Sequence, residues 1–292
     1  MPSVQHAADR LLERIERAGA PVCVGIDPVA ERLPASLRPA GGDEAAAAAV
    51  EEFSTGILDA VAGVVPAVKV QAACFERHGP AGTAALARVL SHARAIEGLE
   101  LILDCKRGDI GISAEHYAAA ARGGFAAHWT TVSAYLGTDS LLPFAGGGHG
   151  AFALVRTSNP SGDALQSLRL ADGRTVSEAV ADLVAAAGAA DVGASGFSAL
   201  GAVVGATKPA DAAALRSRMP SQVFLVPGFG AQGGGVDDVL PCFRADGRGA
   251  LVTASRSVIY AFDPADRQWR SAVRRAAGEL RAQIGAALGV RA

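Results

Sequence analysis

The run Asp104-Cys105-Lys106-Arg107-Gly108-Asp109-Ile110 sets carboxylates and an ammonium at spacings suited to proton chemistry. It closes the apolar stretch 99–106, which reads as a β-strand. Side chains alternate along a strand, so Ile102, Asp104 and Lys106 share one face and Leu101, Leu103 and Cys105 take the other. Two earlier runs end in the same manner. Residues 21–27 finish on Asp27, and residues 67–71 carry Lys69 and Gln71. The same parity puts Cys23, Gly25 and Asp27 on one face, and Ala67, Lys69 and Gln71 on one face. Opposite charges gathered in a small space cost desolvation unless they pair. Two readings fit. One is a structural ion-pair network closing one end of a fold. The other is an alternating Asp–Lys–Asp–Lys array that aims a carboxylate and an ammonium at a ligand, a preorganised electrostatic device.

The elements that must carry these groups are legible in the pattern. Eight short apolar runs recur, at residues 21–27, 67–71, 99–106, 129–134, 151–157, 199–206, 222–227 and 249–254. Helix-like stretches lie between or after them, at residues 43–64, 81–96, 113–123, 176–190, 209–218 and 264–288. Strand–helix alternation argues for parallel pairing with helical crossovers. Eight units predict an α/β fold of the (β/α)8 TIM-barrel type, a single domain over residues 1–292. Its core covers about 20–262, with an N-terminal and a C-terminal helix outside it. The rival is an open doubly wound sheet, but Val24-Gly25-Ile26-Asp27-Pro28-Val29 is not the dinucleotide fingerprint. In such a barrel the carboxyl ends of the strands build the active site. Four of the first five runs end there on polar residues: Asp27, Lys69 with Gln71, Asp104 with Lys106, and Thr157 with Ser158. Residues 159–175 form a long polar connection with a turn at Asp172-Gly173. It reads as a site cover, a recognition loop or a surface insertion.

Bulk properties narrow the function. Half of the 292 residues are hydrophobic and only 5% are aromatic, so Ala, Val, Leu and Gly build the core. A net charge of −2 and an isoelectric point near 6.3 point away from nucleic acid and anionic membranes as partners. Cys23, Cys74, Cys105 and Cys242 form no C-x-x-C pair and read as reduced thiols. The charged N-terminus has no signal-peptide pattern, and no apolar run is long enough for a membrane span, so a cytoplasmic location is expected. His78, His116 and His128 lack ligand spacing and read as packing or surface residues, with no metal site. Asp237-Asp238 reads as the start of a helix.

The segment Asp104-Cys-Lys-Arg-Gly-Asp-Ile-Gly resembles the D-x-K-x-x-D-I signature of orotidine-5′-phosphate decarboxylases, and its K-R-G-D-I-G part resembles the type 2, bacterial subgroup. Further motifs resemble that family in the same order. They are Val24-Gly-Ile-Asp-Pro, Val68-Lys-Val-Gln-Ala-Ala-Cys-Phe-Glu and Arg156-Thr-Ser-Asn-Pro-Ser, then Val226-Pro-Gly-Phe-Gly-Ala-Gln-Gly-Gly and Ala254-Ser-Arg-Ser-Val-Ile-Tyr-Ala. Two positions depart from the subgroup: Ile112, where a small polar residue is expected, and Val70, often proline.

The resemblance implies decarboxylation of orotidine 5′-phosphate to UMP, the last step of pyrimidine nucleotide synthesis, with no metal and no organic cofactor. It implies Lys106 as the proton donor to C6, Asp104 against the substrate carboxylate, and Lys69 and Asp109 completing the charge array. Asp27 is implied on the ribose, Ser158 on the pyrimidine edge and Gln232 bridging base and phosphate. Arg256 and the glycines Gly228, Gly230 and Gly233 fall to the phosphate. Ser113 is left between a phosphate contact and a helix N-cap. Asp109 and Ile110 are implied to reach the neighbouring subunit's site, hence a homodimer with shared sites. Related sugar-phosphate synthases and decarboxylases also carry D-x-K in their third strand and typically use Mg2+. A barrel that binds without catalysing is the other alternative.

Overall fold

Residues 4–230 and 234–289 are described in a computed structural model of the chain. Among them lie eight strands: β1 Val22–Ile26, β2 Ala67–Gln71, β3 Glu100–Arg107, β4 Trp129–Ser133, β5 Gly150–Arg156, β6 Leu200–Val204, β7 Phe224–Val226 and β8 Ala250–Ala254. They follow one another around a closed barrel in chain order, and the registered pairs are parallel. The fold is therefore the (β/α)8 barrel expected from the sequence. β1, β6, β7 and β8 are buried along their whole lengths. This is why they read as continuous apolar runs: strands covered on both faces have no solvent side to alternate with.

The helices are α1 Ala7–Ala18, α2 Asp43–Val61, α3 Ala73–Glu76, α4 Gly79–Ala95, α5 Gly111–Ala119, α6 Asp163–Gln166, α7 Val176–Gly188, α8 Pro209–Arg218, α9 Val236–Val239, α10 Arg256–Ile259 and α11 Trp269–Ala287. Local chemistry sets several ends. The Thr175 hydroxyl accepts from the Glu178 amide at 3.2 Å, and Glu178 accepts from the Thr175 amide at 2.7 Å. This reciprocal cap starts α7. Pro209 opens α8, where its fixed φ helps and its missing N–H costs nothing. Asp238 accepts from the Gly235 amide at 2.7 Å, so the Asp237-Asp238 pair does sit at a helix start.

Two expected helices differ most in extent. The 264–288 stretch becomes helical only at Trp269. Asp263 and Asp266 hold the amides of Ala265 and Gln268 at 2.8 and 2.7 Å, turns that compete with helix. The 113–123 stretch starts earlier, at Gly111, and passes into a π-turn over Ala120–Gly124.

The chain forms two compact units. One comprises Lys106–Ala119 and His128–Thr253 with the N-terminal segment up to Glu13. The other comprises Arg14–Cys105 and Ala120–Ala127 with the C-terminal segment from Ala254. In the second unit Phe53 of α2 stacks on Tyr260 at 5.7 Å and packs on Trp269 of α11 at 5.1 Å. Glu100, fully buried at the start of β3, is paired with Arg14 of α1. In the first unit Trp129 stacks on Phe152 at 4.5 Å. The 159–175 connection belongs to this unit and is structured. It holds a 3-10 turn at Pro160–Gly162, then α6, then an antiparallel bridge between Arg169 and Thr175 around the Asp172-Gly173 turn. Among the described residues no helix is long and apolar enough to cross a membrane, and the four cysteines carry no disulfide.

Candidate active site

Register places Gly25 beside Lys69 and Gln71 beside Asp104. The inward parity read from β1 and β2 thus brings Asp27, Lys69, Gln71 and Asp104 together. Lys69 is only 5% exposed. Its Nζ lies 2.7 Å from Asp104 Oδ2 and 3.5 Å from Asp27 Oδ1. Gln71 Nε2 donates to the same Asp104 oxygen at 3.2 Å. Burial works against the ammonium, but the carboxylates of Asp27 and Asp104 outweigh it and hold Lys69 above the usual lysine range. Lys69 thus bridges the two carboxylates. Among the described residues no three His, Cys, Asp or Glu side chains are grouped to hold a metal ion. Burial, then the Asp27 carboxylate, pushes the nearby Cys74 thiol up to about 11, so it stays protonated at neutral pH and is a poor nucleophile.

The turn after β1 is pinned by a residue that sequence reasoning did not single out. The Tyr260 hydroxyl accepts from the Val29 amide at 2.7 Å and donates to the Asp27 carbonyl at 3.2 Å, and Arg32 covers its ring at 4.0 Å. Tyr260 is the tyrosine of the quoted Ser-Arg-Ser-Val-Ile-Tyr motif, so a signal was present but carried no contact information. Gly25 answers a second constraint. A Cβ there would meet Ser255 Oγ at 1.9 Å and Ser255 Cβ at 3.0 Å. Its absence lets β1 lie against the residue that precedes Arg256. Arg256 opens α10 and is exposed.

The remaining candidates lie in the other unit. Lys106 ends the regular part of β3 with φ +46°, one of two positive-φ non-glycine residues among those described. A left-handed lysine costs about 1–3 kcal/mol and persists only where neighbours impose it. Here its amide donates to Thr131 Oγ1 of β4 at 3.0 Å. β3 nevertheless runs on through Arg107, and the Lys106 side chain is exposed. Asp109 Oδ1 accepts from the Ile110 amide at 2.8 Å, and Ile110 is 58% exposed. Ser113 is the third residue of α5, so it is not an N-cap; that alternative is corrected because the helix already begins at Gly111.

Ser158 follows β5 and is backed by Gly205, where a Cβ would sit 2.9 Å from the Ser158 backbone. The Gly230 amide donates to the Gly234 carbonyl at 2.8 Å, so it is committed within its own loop. Gln232 and Gly233 lie outside the described residues. Asp27, Ser158, Gly230 and Arg256 follow the carboxyl ends of β1, β5, β7 and β8, and Lys69 and Asp104 lie within β2 and β3. Of the histidines set aside, His78 is buried and lies 3.2 Å from Asp43, His128 is buried, and His116 is exposed.

Residues 20–268 match the family model described as Orotidine 5′-phosphate decarboxylase / HUMPS family. This chain belongs to that family. A relative from Rhodopirellula baltica named orotidine 5′-phosphate decarboxylase is 44% identical, over 95% of this chain and 98% of its own. One of the same name from Roseiflexus castenholzii is 41% identical, over 91% and 93%. The solved Leishmania donovani OMP decarboxylase superposes with a TM-score of 0.78 at 34% identity, covering 98% of this chain and all of that one. The orotidine 5′-phosphate decarboxylase / HUMPS match extends slightly beyond the 20–262 span read from the motifs.

Proposed function

We propose that this chain decarboxylates orotidine 5′-phosphate to UMP and CO2, in the last step of pyrimidine nucleotide synthesis in the cytoplasm. Family membership supports the substrate, and the buried Asp27–Lys69–Asp104 array supports the chemistry. The reaction must put negative charge on C6 of the pyrimidine as CO2 leaves. Lys106, two residues past Asp104 along β3, is assigned to stabilise that charge and then to deliver its proton to C6. The strained backbone of Lys106 supports this assignment, since such strain is retained where a side chain has to be aimed.

Asp104 is assigned to face the substrate carboxylate. Two like charges at about 4 Å repel by roughly 4 kcal/mol at an effective dielectric of 20. Relief of that repulsion on the way to the transition state is worth at most about three decades in rate. The Lys69 ammonium at 2.7 Å lowers the figure by screening. Lys69 holds Asp104 in place through the 2.7 Å contact, and Asp109 completes the alternating array. Asp27 takes the ribose hydroxyls and Ser158 the pyrimidine edge. Gln232, Gly230 and Arg256 are assigned to the phosphate, Ser113 to a phosphate contact, and Ile110 with Asp109 to the neighbouring subunit's site. Arg256 offers a planar fork of donors, and Gly230 contributes closeness of approach more than its committed amide. The reaction is assigned to a single-domain barrel with no metal and no organic cofactor, acting as a homodimer.

The test is spectrophotometric. Purified protein in EDTA is expected to consume orotidine 5′-phosphate, with UMP recovered as the product. Lys106→Ala is expected to lower kcat by at least about a thousandfold while the far-UV spectrum stays native. Absence of turnover by the unaltered protein overturns the activity. A near-normal kcat in Lys106→Ala overturns the proton-donor role.

A further inference from the structure

We infer that Arg156, held by Asp163 and Asp211, is a positioning residue that sets Ser158 against the pyrimidine edge. The inference rests on the decarboxylase reading and on the part Ser158 plays in it. Arg156 is the last residue of β5 and its guanidinium is 2% exposed. A buried cation needs partners, and these come from two different elements. Nε donates to Asp211 of α8 at 2.7 Å, and Nη2 donates to Asp163 of α6 at 2.6 Å. Lys208 Nζ lies 2.7 Å from the other Asp163 oxygen. The cluster thus holds two cations and two carboxylates.

The same grip extends to the residue before Ser158. Gln166 Oε1 accepts from Arg156 Nη1 at 3.2 Å and from the Thr157 amide at 2.9 Å. Its Nε2 donates to the Thr157 hydroxyl at 2.8 Å. On the far side of Ser158 stands Gly205, too close to admit a Cβ, and its amide donates to the Arg156 carbonyl at 2.8 Å. Ser158 is therefore fixed between a charged knot and a bare strand end. The knot takes in the first part of the 159–175 connection through Asp163 and Gln166, which gives that segment a role: it is folded back onto Arg156 to frame the base contact. A guanidinium serves here because its rigid fork holds two acceptors on separate elements at fixed angles. An ammonium is a point charge without that geometry.

The test compares Arg156→Lys, Asp211→Asn and Ser158→Ala with the unaltered protein, by calorimetry with UMP and with ribose 5-phosphate, which has no base. Arg156→Lys is expected to weaken UMP about tenfold and to leave ribose 5-phosphate within about twofold. KM for orotidine 5′-phosphate is expected to rise by a similar factor with kcat within about threefold, because the edge contact is made equally in ground and transition states. In the Arg156→Lys, Ser158→Ala double variant the second change is expected to add less than about twofold, since the two act through one contact. Equal weakening of both ligands, multiplicative losses in the double variant, or lost folded protein with unchanged KM would each overturn the inference. Asp211→Asn acts on a half-exposed partner and decides the question if Arg156→Lys does not fold. Unaltered protein that binds UMP without decarboxylating its precursor would refute the decarboxylase reading, while the UMP and ribose 5-phosphate comparison would still judge Arg156.

Discussion

An ammonium with 5% exposure survives in the fold because two carboxylates face it, and this makes the alkaline side of the pH scale the vulnerable one. Burial opposes the charge of Lys69, Asp27 and Asp104 favour it, and its folded pKa lies above the ordinary 10.5. The stability it lends is complete below that value and is lost as pH rises through the folded pKa. Cys74 and Tyr260 carry the same sign for a different reason. Burial favours their neutral forms, raising the thiol from 9.0 to about 11 and the phenol from 10.0 to about 12. Unfolding lets each ionise at its ordinary value, so both withdraw stability as pH climbs through that interval. The urea midpoint is expected to stay flat up to about pH 9 and to fall steadily between about 9 and 12. Tyr260→Phe is expected to flatten the portion above about pH 10. A midpoint unchanged at pH 11 in the unaltered protein is incompatible with these half-buried neutral groups.

At the scale of elements, a second buried arginine does for the amino ends of β7 and β8 what Arg156 does for the carboxyl end of β5. Arg216, in the last turn of α8, donates to the carbonyls of Met219, Gln222, Cys242 and Gly249 at 2.7 to 3.0 Å, and lies 3.5 Å over the Phe224 ring. No carboxylate answers it in that set, and burial lowers its pKa to about 10. Arg216→Met removes donors from four carbonyls, each costing about 1–3 kcal/mol if left bare. With partial relaxation the expected loss is about 3 kcal/mol, read as a lower urea midpoint with KM unchanged in the folded fraction. A loss below about 1 kcal/mol contradicts this account.

Neither arginine's role was legible in the sequence, because each depends on partners from other elements. What was legible is what depends on local chemistry. β2 and α8 were delimited to the residue, one by its apolar run and the other by Pro209. The convergence of Asp27, Lys69 and Asp104 on one space followed from strand parity. The left-handed backbone of Lys106, tied to Thr131, left no mark in the sequence, and the last helix was overextended because Asp263 and Asp266 divert its first residues into turns.

For the whole molecule, the surface after β3 and β4 bears on assembly. Ile110, Ile112 and Tyr117 are 58%, 68% and 43% exposed, and Tyr135 is 84% exposed. Exposed apolar side chains of this size, where they adjoin in one patch, mark interaction surfaces. A two-fold homodimer is self-complementary, so a segment lent to the partner's site is returned by the partner. This gives the proposal that Asp109 serves the neighbouring site a quantitative consequence. Lys106→Ala and Asp109→Ala homodimers are each expected to be inactive. In a heterodimer of the two, one site carries both defects and the other carries neither. Random reassociation of equal amounts makes half the dimers mixed, so recovered activity should approach about a quarter of the unaltered level per chain. The control is native mass spectrometry showing that mixed dimers have formed. Mixed dimers with no recovered activity would put Asp109 in the same site as its own Lys106. A chain that stays monomeric at assay concentration while fully active would remove the shared site altogether. Exchange should be slow where the apolar segment is fully covered, and Tyr135→Asp is expected to speed it by putting a charge into the contact.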